Sequence, residues 1–267
     1  MTGRRAAAGV LLGFVASGCV YLNSLYNARQ RFEDGERARI EGRADDARIA
    51  YDDAIRKASA SFRKEPEGRW ADDALYVLGR AYLRRGDYAR ALGALEQAAD
   101  RADDPSVAAG ARLYIGAALA QVGDRPRARR LLDDAVVALA GDDLAGEAHY
   151  WRGRLLLAVG RVDDGLRDLT RAEQVDARLH IPVEFERLAW GIEADDTVRA
   201  VRAAAGLLAD PVAGLLADSI GALVERAARR WGPGPAAALL APTRTGDWPP
   251  GPRDRLLMQR VALLAEA

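Results

Sequence analysis

Residues 78–98 read LGRAYLRRGDYARALGALEQA. Small residues in this stretch keep fixed distances from Gly86: Gly79 lies seven before it, Ala91 five after and Ala98 twelve after. The same offsets recur around Gly123, with Gly116, Ala128 and Ala135, and around Gly42, with Gly35, Ala47 and Ala54. Around Gly160 stand Gly153 and Ala172, with Gly165 in the middle place. The four central glycines are 44, 37 and 37 residues apart. A period of this size marks stacked supersecondary units, each unable to bury its apolar face alone.

The residue types say what each unit is. A helix, a tight turn and a second, antiparallel helix account for all of them. Gly86, Gly123 and Gly160 supply the left-handed conformation that ends the first helix. Gly79 and Ala91 are small where the two helices cross closely. Tyr82 and Leu95, with Tyr51, Leu119, Leu132, Leu156 and Leu169, fill the space between them. Pro126 falls in the first turn of a second helix, where its missing N–H costs nothing. Asp45-Asp46 and Asp163-Asp164 fall at the same place, where negative charge suits the helix dipole; they read as caps, not metal ligands. The predicted class is all-α.

This pattern resembles the tetratricopeptide repeat (TPR), at 72–105 and 109–142 and, less fully, at 28–61 and 146–179. Arg112 and His149 stand where the family usually has tryptophan, and Arg152 where it usually has leucine. The resemblance implies a solenoid of antiparallel helix pairs over 28–179, with four recognisable repeats and degenerate helices after them. In that family the first helix of each pair builds the concave, partner-binding surface. Carried over by position, this implies a protein-binding groove containing Arg39 in the first unit and Tyr76, Arg80, Leu83 and Arg84 in the second. The fourth unit contributes Tyr150, Arg154 and Leu157, whereas the third offers only Leu113, Ala117, Ala120 and Gln121. The asparagines of the chaperone-type carboxylate clamp are absent from these positions.

Beyond 179 the helical periodicity continues without the signature. Residues 180–231 read as a degenerate repeat at about 183–209 and a further helix, with Pro182 and Pro211 near helix starts. Six of the eleven prolines lie between 233 and 252, so 232–252 is expected to be a kinked, partly extended linker. Residues 253–267 form an amphipathic helix with Leu256, Leu257, Val261 and Leu264 on one face, either capping the array or docking on a partner.

The N-terminus is an address. Arg4 and Arg5, a short apolar stretch and the small residues Ala16-Ser17-Gly18 lead into Cys19, the only cysteine. This resembles a bacterial lipoprotein signal: 1–18 removed, a lipid on Cys19, and a short tether at 19–27. An uncleaved membrane helix and ordinary secretion are the competing readings. Val20, rather than Asp, after the cysteine favours the outer membrane, facing the periplasm, by resemblance to enterobacterial sorting. The junction Pro66-Glu-Gly-Arg-Trp-Ala-Asp-Asp-Ala74 is similar to that of BamD-type outer-membrane assembly lipoproteins.

Charge is balanced, 39 Lys+Arg against 39 Asp+Glu, which gives no reason to expect nucleic acid. There are two histidines, and the sequence has no HExxH, P-loop, GxGxxG or GxSxG pattern. Neither a catalytic set nor a metal site is expected. An enzyme reading would have to draw on carboxylates such as Glu184 and Glu186, and nothing aligns them. No cofactor is expected beyond the lipid. The sequence therefore points to a non-catalytic, lipid-anchored scaffold that binds other envelope proteins. The alternative is an envelope accessory factor holding an enzyme or peptidoglycan near the membrane.

Overall fold

The computed structural model describes residues 24–241 and 248–267. Cys19, the signal and most of the tether lie outside the described residues. Among those residues every regular element is helical, and the chain divides into two compact units.

The first unit comprises residues up to Ala38 together with Ala44–Ala140. It holds three helix pairs: α1 (24–40) with α2 (Ala44–Lys64), α3 (Ala71–Arg84) with α4 (Tyr88–Arg101), and α5 (Pro105–Val122) with α6 (Arg125–Ala138). Turns fall where the sequence predicts, with Gly86 and Gly123 at φ +74° and +91°. The side chains of Asp87 and Asp124 then cap the following helices, accepting from the amides of Arg90 and Arg127.

The close crossing is explicit at Gly79. A Cβ there would sit 2.4 Å from Cγ of Leu95, the residue nine beyond the turn glycine. Gly35 and Gly116 stand in the same relation to Tyr51 and Leu132, at 2.6 and 2.9 Å. One side chain from the second helix thus fills the notch that the glycine leaves in the first. That pairing makes the repeat a packing rule, and Leu95 and Leu132 are fully buried by it. Neighbouring pairs also touch, α3 lying against α5.

The second unit comprises 39–43 and Gly141–Ala267. It contains α7 (Ala145–Ala158) with α8 (Val162–Val175), and α9 (His180–Glu193) with α10 (Thr197–Ala209). After these come α11 (Ala217–Trp231), α12 (Pro233–Ala238) and α13 (Pro250–Glu266). The α9/α10 pair is the degenerate repeat, and its turn explains the degeneracy. Asp195 takes the left-handed place of glycine at φ +57°, while Asp196 caps α10 through the amide of Arg199. Of the two adjacent aspartates, only Asp196 therefore opens the helix.

Two readings of the C-terminal part are corrected. The proline-rich segment is not simply an extended linker. Its Gly-Pro-Gly-Pro start nucleates α12, and Ala236, Ala237, Leu239, Leu240 and Trp248 are buried in one core with Leu188, Ile192, Leu207, Leu208 and Ile220. The indole N–H of Trp248 donates to the Asp210 carbonyl at 3.0 Å. On α13, Leu256 and Leu263 face inward, while Val261 and Leu264 point outward with Met258. A single helix with leucines on several sides offers more than one face, and packing against α11 and α12 selects the Leu256–Leu263 side.

Candidate protein-binding arrays

Each unit carries an aromatic–arginine array on the first helices of its pairs. In the first unit, α3 sets Tyr76 and Arg80 one turn apart. The Arg80 guanidinium lies 4.3 Å from the ring centre of Phe32 on α1, 5.3 Å from Tyr76 and 4.9 Å from Tyr114 on α5. Phe32 and Tyr114 are buried, whereas Tyr76 and Arg80 are half-buried. Stacking of this kind is worth about 0.5–2 kcal/mol per ring and holds the cation in one orientation. One turn further along α3, Arg84 makes two parallel bonds of 2.8 Å to the Glu36 carboxylate. Tyr51 donates its hydroxyl to the same glutamate.

In the second unit, α7 repeats the arrangement. Tyr150 and Arg154 are one turn apart, and the Arg154 guanidinium lies 4.9 Å from the Trp151 ring and 5.6 Å from Tyr150. Glu186 on α9 receives Arg154 at 2.7 Å and the Tyr150 hydroxyl at 3.3 Å. So the tyrosines and arginines predicted from position do come together within each unit. The predicted Leu83 and Leu157 do not join them, being buried at 6% and 8% exposure. Their side chains support the helices from beneath and offer a partner little surface. Arg39 lies in the last turn of α1, is half-buried and falls in the second compact unit.

The sequence departures in the fourth repeat have a common cause. His149 and Arg152, which replace the usual apolar residues, both reach Asp168 on α8. Arg152 bonds its carboxylate at 2.6 and 2.8 Å, and His149 Nδ1 lies 2.9 Å from it. Burial raises the Asp168 carboxyl, but the hydrogen bonds from Arg152 and His149 outweigh it and hold the group below its ordinary value of 3.8. A polar triad, with Asp168 buried and His149 and Arg152 half-buried, thus substitutes for apolar packing.

One group of possible metal ligands escaped sequence reasoning. Glu173, His180 and Glu184 place ligand atoms within 4.8 Å of one another. The signal was there: His180 and Glu184 are four apart on one face of α9. Arg187 nevertheless bonds both Glu173 and Glu184, so a guanidinium already stands between the carboxylates. Burial pushes the Glu184 carboxyl up, with Arg187 opposing.

Among the described residues no single helix is long and apolar enough to cross a membrane. The family model of the tetratricopeptide repeat matches residues 38–107, 76–143 and 115–178, which together cover more than half of the chain. Among solved structures, a Rap protein complexed with competence and sporulation factor is similar, with a TM-score of 0.53 at 15% identity. The alignment covers 91% of this chain and 66% of that one, so the chain spans just under two thirds of the Rap protein's length. BtubC from P. vanneervenii (14% identity, TM-score 0.46) is covered over 90% of both chains. A tetratricopeptide repeat protein from Parabacteroides merdae (15%, 0.45) aligns over 90% of this chain and 88% of its own. No curated protein matches the chain.

Proposed function

Because the chain belongs to the tetratricopeptide-repeat family, we propose that it is a non-catalytic scaffold binding segments of other proteins through its aromatic–arginine arrays. The observation that carries this is the repetition: in both units a tyrosine and an arginine lie one turn apart on a first helix, the arginine seated on aromatic rings. Tyrosine and arginine are favoured at contact centres because a rigid ring and a planar fork lose little entropy on binding. An extended segment bearing a carboxylate suits them, exchanging with Glu186 for Arg154 in the second unit. The Rap protein, similar in fold and complexed with competence and sporulation factor, supports the reading by analogy of fold. Removing the charge of Arg80 or Arg154 tests it: the partner segment is released while helical content is kept.

We place the scaffold in the cell envelope, anchored by a lipid on Cys19 at the periplasmic face of the outer membrane. The support is the Ala16-Ser17-Gly18-Cys19 sequence with its charged and apolar lead, and the similarity of the Pro66–Ala74 junction to outer-membrane assembly lipoproteins. Two acyl chains, at about 0.8 kcal/mol per buried CH₂, would hold it there firmly. Fatty-acid labelling of cells should mark the wild-type chain and leave Cys19→Ala unlabelled. Label retained by Cys19→Ala would contradict the anchor.

A further inference from the structure

Helices α8, α9 and α10 of the second unit line a half-open cavity of about 450 Å³. This is within the ~300–1,000 Å³ range of small-molecule sites. It shares no residue with the Tyr150–Arg154–Glu186 array. Leu166, Ala203 and the Trp190 indole make its apolar walls, and Glu184 lies in its lining beside Gly206. Gly206 sits inside α10, where glycine costs about 1 kcal/mol relative to alanine. A Cβ there would lie 3.2 Å from the Glu184 carboxyl carbon, so its absence keeps the cavity open.

The charged groups of the lining have unequal freedom. Arg187 is fully engaged, bonding Glu184, Glu173 and the Thr170 hydroxyl at 2.9 Å, and so acts as a fixed wall. Arg199 is tied to Asp196 and stands 5.9 Å from the Trp190 ring centre. Arg202, three residues on, is exposed, and no described residue forms an ion pair or hydrogen bond with it. Glu173, Glu184 and Asp196 offset Arg187 and Arg199, so the charge this lining can offer a ligand is that of Arg202, beside apolar walls that strengthen it.

We propose that this cavity binds a small organic anion, its flat apolar body against Trp190 and its acid group held by Arg202 and Arg199. The test uses anilinonaphthalene sulfonate and its uncharged parent, phenylnaphthylamine, titrated into the full chain with fluorescence detection. The expected result is one saturable site that takes the sulfonate at least about tenfold more tightly than the parent. Arg202→Glu should then weaken the sulfonate about tenfold, leaving the parent and the melting temperature unchanged. A second variant, Trp190→Ala, should weaken both probes. Equal binding of the two probes, or sulfonate binding unchanged in Arg202→Glu, would overturn the assignment. So would sulfonate binding abolished by serine at Met258, Val261 and Leu264, the exposed stripe of α13.

Discussion

Gly79→Val is expected to destabilise the protein by about 3 kcal/mol, the upper part of the range for overpacking a close contact. Even the first added carbon has no room: it would stand 2.4 Å from Leu95 Cγ and 3.2 Å from the Leu95 backbone nitrogen. The leucine side chain can rotate, but the backbone cannot, so α3 and α4 must separate. For a chain of this size that corresponds to a fall in Tm of roughly 6–12 °C. Gly93→Ala supplies the opposite sign. It is exposed in the interior of α4 and has nothing within 4 Å of an added Cβ. Relief of backbone entropy should stabilise it by about 0.5–1 kcal/mol. Thermal melts of the two variants read both effects, and a tolerated Gly79→Val would remove the packing rule on which the repeat rests.

Asp168→Ala is expected to cost about 1–3 kcal/mol at neutral pH, the penalty for leaving polar groups without their acceptor at a half-buried site. It would leave Arg152 and His149 directed at a site with no acceptor. The pH dependence has a definite sign. Because the native carboxyl titrates below 3.8, its contribution is present above that pH and fades as the pH falls through the depressed native value. Denaturant melts of wild type and Asp168→Ala should therefore differ most at neutral pH and less in strong acid. A difference that persisted undiminished at low pH would assign the loss to packing rather than to the ion triad.

The repeated helix pairs were legible because their cause is local and periodic. A turn glycine, a notch glycine and a filling leucine recur at fixed spacing, and each spacing maps onto one contact, as Gly79 and Leu95 show. The α9/α10 pair was harder to read because Asp195 takes the glycine place, a substitution visible only through its positive φ. The α12 and Trp248 packing was not readable at all. A six-residue helix has too few turns for periodicity, and one tryptophan's burial depends on partners nearly forty residues away. At the arrays, the family positions located Tyr76, Arg80, Tyr150 and Arg154. They also included Leu83 and Leu157, since position on a helix does not reveal how deeply its neighbours bury a side chain. His149 and Arg152 looked like separate oddities until α7 and α8 were seen to face each other, with Asp168 bonding both.

The most direct measurement is the affinity of a captured partner segment for the wild-type chain and for Arg80→Gln and Arg154→Gln, made separately so that each unit is read by itself. Circular dichroism and melting temperature on the same samples establish that the helices remain. Binding weakened at least about tenfold by one or both variants, with the helical signal intact, is the predicted result. Affinity unchanged in both variants would contradict the claim that these arrays recognise protein partners.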